Sequence, residues 1–201
     1  MTLLRFLLVP VLSAVLALPA AAEKLSLAQI STYLNGLETA RGDFTQINDD
    51  GSISTGRILL KRPGRVRFEY TPPEETLVIA DGDRVGIIDP KSNTGPEAYP
   101  LNRTPLKIIL ARNVDLTRER MVTGHASDGK TTTVRAQDPE HPEYGSIELV
   151  FSGPPVQLRQ WVINDSGGGR TTVVLGELTP DVSLRNERFE IPGVGVEPPD
   201  R

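Results

Sequence analysis

Gly56-Arg57-Ile58-Leu59-Leu60-Lys61-Arg62-Pro63-Gly64-Arg65-Val66-Arg67-Phe68-Glu69-Tyr70 decides the fold. Two short strands flank a Pro63-Gly64 turn, where proline presets φ and glycine accepts a positive φ. The second strand alternates strictly. Val66, Phe68 and Tyr70 fall on one side, Arg65, Arg67 and Glu69 on the other, the period of a half-buried antiparallel strand. A two-residue loop would pair Leu59 with Phe68 and turn Ile58 and Leu60 away from the aromatic side. A three-residue loop, Pro63 to Arg65, pairs Arg62 with Val66, Leu60 with Phe68 and Ile58 with Tyr70. One face then carries Ile58, Leu60, Val66, Phe68 and Tyr70, so the apolar pattern favours this register. It also places Arg62 on that face, where a guanidinium requires acceptors.

Upstream of the hairpin, Leu25 to Leu37 predicts an amphipathic helix. Ser26 and Gln29 form a capping box, Leu25 and Ile30 have the spacing of a hydrophobic staple, and Leu27, Ile30, Leu34 and Leu37 make one apolar stripe. Downstream, strands are expected at Asp43–Ile47, Thr76–Ala80, Arg84–Ile88, Asp115–Gly124, Thr131–Gln137, Ser146–Phe151, Leu158–Asn164 and Arg170–Leu175. Their even spacing suggests an antiparallel meander curling into a barrel or half-barrel. Thr104 to Ala111 predicts a second helix, with Thr104 as N-cap and Pro105 at its first position. Leu106, Ile108, Ile109 and Leu110 leave it almost no polar face, so it must be covered or must cover something apolar.

The chain has 201 residues and a net charge of −4, which argues against general nucleic-acid binding. Arg5, the apolar run Phe6 to Leu18 and Ala20-Ala21-Ala22 read as a signal peptide over residues 1–22, cleaved after Ala22. The apolar run is too short to span a bilayer as a helix. The absence of cysteine removes disulfides, thiol nucleophiles and thiol ligands, and with them a lipid-modified N-terminal cysteine. Residues 194–201 read as a short flexible tail.

The tools of an enzyme are missing. His125 and His141 are the two histidines, each in a polar, turn-rich setting that suits a surface residue. Glu74-Glu75 and Asp81/Asp83 are neighbours in turns, the usual place for solvated carboxylates. Gly167-Gly168-Gly169 lies between two strands with no helix to follow, which a phosphate loop requires. No catalytic residue, metal site or cofactor is expected, and a hydrolase would need a site of unfamiliar form. What remains is an apolar sheet face and apolar helices able to cover it. Such a set serves either a binder of apolar ligands or a packed core, and the pattern leaves both open.

The order of short motifs resembles the LolA family of periplasmic outer-membrane lipoprotein carriers. The motifs are Phe44-Thr45-Gln46; Gly56-Arg57-Ile58; Lys61-Arg62-Pro63-Gly64 with the alternating strand to Tyr70; Leu77-Val78-Ile79-Ala80-Asp81-Gly82; Asp89-Pro90; Thr104-Pro105-Leu106; Leu158, Trp161, Asp165, Gly168 and Thr171; and Phe189-Glu190-Ile191-Pro192. The likeness runs from about Leu25 to Pro192.

The resemblance implies a mainly β fold with α: an unclosed antiparallel β-barrel, or half-barrel, with helices covering an apolar cavity as a lid. Residues 23–193 would form a single carrier domain acting as a monomer in the periplasm. Its function would be to shield the acyl chains of lipoproteins, taking them from an inner-membrane ABC transporter to an outer-membrane acceptor. Ile58, Leu60, Val66, Phe68 and Tyr70 would form the cavity wall, and Leu27, Ile30, Leu34, Leu106, Ile109 and Leu110 the lid. Arg62 would latch the lid through backbone carbonyls. The alternative is an envelope apolar-ligand binder or lipoprotein sensor of the same fold. The acceptor, itself a lipoprotein, needs an N-terminal cysteine that this chain lacks. The chain departs from the family at Val85-Gly86-Ile87-Ile88, where many members place aromatics before Asp-Pro.

Overall fold

A computed structural model describes residues 23–118 and 120–193; the expected signal peptide and tail lie outside the described residues. Helix α1 spans Leu27–Gly36. The Ser26 hydroxyl accepts the Gln29 N–H at 3.2 Å, and Gln29 Oε1 accepts the Ser26 N–H at 2.8 Å, so the capping box forms as read. Leu25 and Ile30, the staple pair, are both buried.

Six strands follow: β1 (Thr39–Ile47), β2 (Ile53–Lys61), β3 (Arg65–Tyr70), β4 (Leu77–Asp81), β5 (Arg84–Ile88) and β6 (Glu97–Pro100). A 3-10 turn at Leu101–Arg103 leads into α2, Leu106–Leu110. Then come β7 (Val122–Ser127), β8 (Thr132–Gln137), β9 (Ser146–Ser152), β10 (Gln157–Asn164), β11 (Arg170–Leu175) and the two-residue β12 (Thr179–Pro180). All twelve belong to one antiparallel sheet of order β6-β5-β4-β3-β2-β1-β11-β10-β9-β8-β7, with β12 pairing the start of β1. Two meanders thus join where β1 pairs β11, and β6 and β7 stand at opposite ends of an unclosed sheet.

The β2–β3 hairpin differs from its expected register in an instructive way. Lys61 pairs with Arg65, Leu60 with Val66, Ile58 with Phe68 and Gly56 with Tyr70. The loop has three residues, but they are Arg62 to Gly64, with Gly64 at φ +76°. Relative to the expected pairing the strands are slipped by two residues. A slip of two preserves side-chain parity, so the apolar face is the one read from the pattern. Arg62 itself sits in the turn rather than opposite Val66.

Two further expectations change, and two strands were not expected. The second helix starts at Leu106, because the Thr104 hydroxyl donates to Leu101 O at 2.8 Å and closes the preceding turn instead of capping the helix. The strand expected from Asp115 begins only at Val122, because Asp115 Oδ1 accepts the Thr117 N–H at 3.0 Å in a turn. Strands β6 and β12, short and exposed, carry no alternation to betray them.

The inner face of the sheet, toward the helices, is one contiguous apolar cluster. It includes the row Ala40–Leu60–Val66–Ala80–Val85 across β1 to β5 and Leu149, Trp161 and Val173 from the second meander. A smaller cluster of Leu59, Ile79, Phe189 and Ile191 lies on the outer face, where the chain after β12 folds back. There a Cβ on Gly86 would lie 2.6 Å from Ile191 Cγ2. The missing side chain of Gly86 is what seats Ile191.

Candidate functional site

The site is built on the inner face around four aromatic rings. Phe44 of β1 meets Phe68 edge-on at 5.3 Å and Tyr70 at 5.1 Å, and Phe68 meets Trp161 at 6.1 Å. Gly56, between Phe44 and Tyr70 in the pairing, leaves room for them: a Cβ there would lie 2.7 Å from Phe44 Cε1. Ile58, Leu60, Val66 and Phe68 are buried in the same cluster, and Tyr70 packs against it half-buried.

Over this face lie the two helices. Ile30 and Leu34 of α1 and Leu106, Ile109 and Leu110 of α2 are buried in the cluster, and Leu27 packs against its margin. The structure therefore brings all eleven expected apolar residues together. The space beneath the helices is occupied by their own side chains. A cleft of 680 Å³ opens at the Tyr70 end of the site, lined by Phe44, Gly56 and Tyr70 among others, and one of 500 Å³ is lined in part by Thr32, Tyr33 and Gly36 of α1; a cleft of 770 Å³ beside Arg41, Arg57 and Arg188 touches neither helix.

Arg62 reaches from the hairpin tip to the C-terminal ends of both helices. Its Nη1 donates to the Leu34 carbonyl and its Nη2 to the Ala111 carbonyl, with Asn35 Oδ1 3.4 Å from Nη2. The Leu34 carbonyl also accepts the Leu37 N–H at 3.3 Å; carbonyls at a helix C-terminus carry the negative end of the helix dipole, so a guanidinium is a fitting partner. Burial lowers the guanidinium's pKa from its ordinary value, while the nearby Glu38 carboxylate acts in the opposite sense. Nε of Arg62 is buried with no hydrogen-bond partner among the described residues. Main-chain bonds reinforce the junction: Arg62 N–H donates to Glu38 O at 2.8 Å and Gly64 N–H to Leu110 O at 2.8 Å.

Polar groups absent from the sequence reading complete the cover. Asn35 donates through Nδ2 to Val114 O at 2.9 Å and accepts the Val114 N–H at 2.9 Å. The buried Ser31 hydroxyl accepts the Leu116 N–H at 3.0 Å. Ser31 and Asn35 are four apart, hence on one helix face, and that spacing was their available signal. At the other end of α1, Leu25 is gripped by the second meander: its N–H donates to Thr132 Oγ1 at 3.0 Å and its carbonyl accepts from His125 Nε2 at 2.8 Å. His125 is thus half-buried and bonded to the segment preceding α1, rather than a free surface residue. His141 stays exposed, stacked on Tyr144 at 4.7 Å. Lys107 of α2 pairs with Asp138, whose carboxyl is lowered from its ordinary pKa chiefly by that hydrogen bond.

At the far end of β3 from the hairpin tip, the Tyr70 hydroxyl donates to Gln46 Oε1 at 2.5 Å, and Gln46 Nε2 donates to Asn48 Oδ1 at 2.6 Å. Burial pushes the Tyr70 phenol up to about 12, against the lowering effect of the Gln46 hydrogen bond.

Comparison with known proteins finds relatives over most of the chain. The family described as outer membrane lipoprotein carrier protein LolA matches residues 35–192. An outer-membrane lipoprotein carrier protein of Cupriavidus taiwanensis is 30% identical over 193 residues, covering 89% of this chain and 90% of its own. Its counterpart in Methylobacillus flagellatus is 22% identical over 195 residues, covering 93% and 94%. The crystal structure of a LolA superfamily protein from Nitrosomonas europaea gives a TM-score of 0.43 at 11% identity, over 83% of this chain and 98% of the other. With the family match running from the end of α1 through α2 and almost the whole sheet, the chain belongs to the LolA family of outer membrane lipoprotein carrier proteins.

Proposed function

We propose that residues 23–193 form a periplasmic carrier that shields the acyl chains of lipoproteins. It takes its cargo from an inner-membrane ABC transporter and passes it to an outer-membrane acceptor. In this reading the inner face is the acyl-chain wall, α1 and α2 are the lid, and Arg62 is the latch. The observation that carries it is the single guanidinium bonded to the ends of both helices above an otherwise apolar interior. One side chain joins both helix ends to the hairpin tip, so a single rearrangement at Arg62 would free both helices from that grip.

The energetics suit a carrier. Burying acyl chains gains about 0.8 kcal/mol per CH₂, so a ligand bound to a ready-made cavity would be hard to release. Here the ligand must first displace helices that already fill the site. The packing that the lid gives up offsets part of the ligand's gain and leaves binding reversible. Nothing in the carrier's own cycle requires a chemical step.

Depletion in the native host tests the reading. Outer-membrane lipoproteins are expected to accumulate in the inner membrane on fractionation. Correct sorting in depleted cells that hold no second carrier sinks it, and leaves an envelope apolar-ligand binder of the same fold.

A further inference from the structure

We infer that Tyr70 and Gln46 form the polar end of the acyl site and hold the ester carbonyls of the cargo's diacylglyceryl cysteine. The inference rests on the carrier reading and adds an orientation to it. Both side chains lie on the inner face: Tyr70 packs on Phe44, which pairs with Gly56 beside it, and Gln46 is two residues along β1 from Phe44. Both are half-buried, where the neighbouring Phe44, Phe68 and Trp161 are buried and apolar. They stand at the end of the site away from the latch. From Arg65 to Tyr70 the strand advances roughly 17 Å at 3.4 Å per residue, and the ties of both helices to the hairpin, through Arg62 and Gly64, are at the Arg65 end.

An apolar site with a few polar groups at one end fixes the direction of its ligand. Acyl tails would run from the aromatic rings toward the latch, and the glyceryl esters would stop at the Tyr70 hydroxyl and the Gln46 amide. An ester carbonyl only accepts, and the pair supplies an O–H and an N–H to give. With the lid closed these donors serve Gln46 Oε1 and Asn48 Oδ1, so the pair is satisfied in that state. A phenol is neutral throughout the physiological range, so Tyr70 is a donor there. A pair that merely closed this end of the sheet would be indifferent to ligand chemistry.

Two synthetic lipopeptides make the test: one with a diacylglyceryl cysteine, the other its dialkyl-ether twin, which keeps the chains and lacks the carbonyls. Purified wild-type protein is expected to prefer the ester about tenfold, the scale of one or two neutral hydrogen bonds. Tyr70→Phe, which keeps the ring on Phe44, is expected to reduce that preference to near unity, the ratio of the two affinities within the one variant being the readout. Equal wild-type affinities for the two peptides overturn the inference with the carrier reading intact. So does a preference that survives in both Tyr70→Phe and Gln46→Met. Binding of neither peptide by folded wild-type protein removes the carrier reading, and this inference with it.

Discussion

The Gly64 amide donates to the Leu110 carbonyl at 2.8 Å, tying the tip of the β2–β3 hairpin to the last residue of α2 by main chain alone. The bond survives any change of side chain at the tip. Arg62 adds the second grip on the α2 end, through Ala111, and the side-chain grip on α1, through Leu34. The two connections can therefore be separated by substitution.

Arg62→Leu removes the side-chain grips and leaves the Gly64 bond. It also places an apolar group against an apolar interior. The variant is expected to bind a lipopeptide at least as tightly as the wild type does, but to deliver it to acceptor-containing vesicles at least tenfold more slowly. Without the charge at the helix ends the closed, empty state loses its particular advantage over the loaded one. Transfer at the wild-type rate counts against the latch.

Phe68→Ala opens a hole between Phe44 and Trp161. Large-to-small changes of a buried Phe cost about 3–5 kcal/mol, and Phe68 is 5% exposed. Urea denaturation is expected to show a loss in that range, and lipopeptide affinity to fall with it. A variant as stable and as tight-binding as the wild type would mean that the ring lies outside the site.

Gly86→Val tests the outer cluster. Its side chain enters the space of Ile191 Cγ2, and overpacking of this kind costs about 1–3 kcal/mol. The expected result is lower stability that Ile191→Ala substantially restores in the double variant. Lipopeptide binding is expected to change little, because the cluster lies on the opposite face of the sheet. Additive losses in the double variant would break the assigned contact.

Tyr70 sets a limit at high pH. Its folded-state pKa of about 12 lies above the ordinary 10, so the folded protein holds the proton where the unfolded chain releases it. The contribution is fully present below pH 10 and is lost as pH rises from 10 through 12, at up to about 1.4 kcal/mol per unit. Stability measured across that window is expected to fall less steeply in Tyr70→Phe than in the wild type. Identical slopes would show that the phenol is not protected.

Much of this was legible in the sequence because side-chain parity is robust. The Arg62 register was displaced by two residues, yet Ile58, Leu60, Val66, Phe68 and Tyr70 still face the helices, since every second residue of a strand shares a face. The Ser26 box was readable because both partners are local. Thr104 misled for the same reason that Ser26 did not: a hydroxyl near a helix start has several local acceptors, and here Leu101 O wins. The bonds from Asn35 to Val114 and from Leu25 to Thr132 span 79 and 107 residues, and no local pattern announces such partners.

Asn35 and Ser31 have a consequence for kinetics. They bind α1 to Val114 and Leu116, in the chain that leaves α2, by three hydrogen bonds that involve no part of the sheet. In the carrier reading α1 is then coupled to α2 through the segment that follows α2, besides through Arg62. They rise together or not at all. Gating thus reduces to a single coordinate, and loading under stopped flow will trace one exponential, with no half-open species between empty and full.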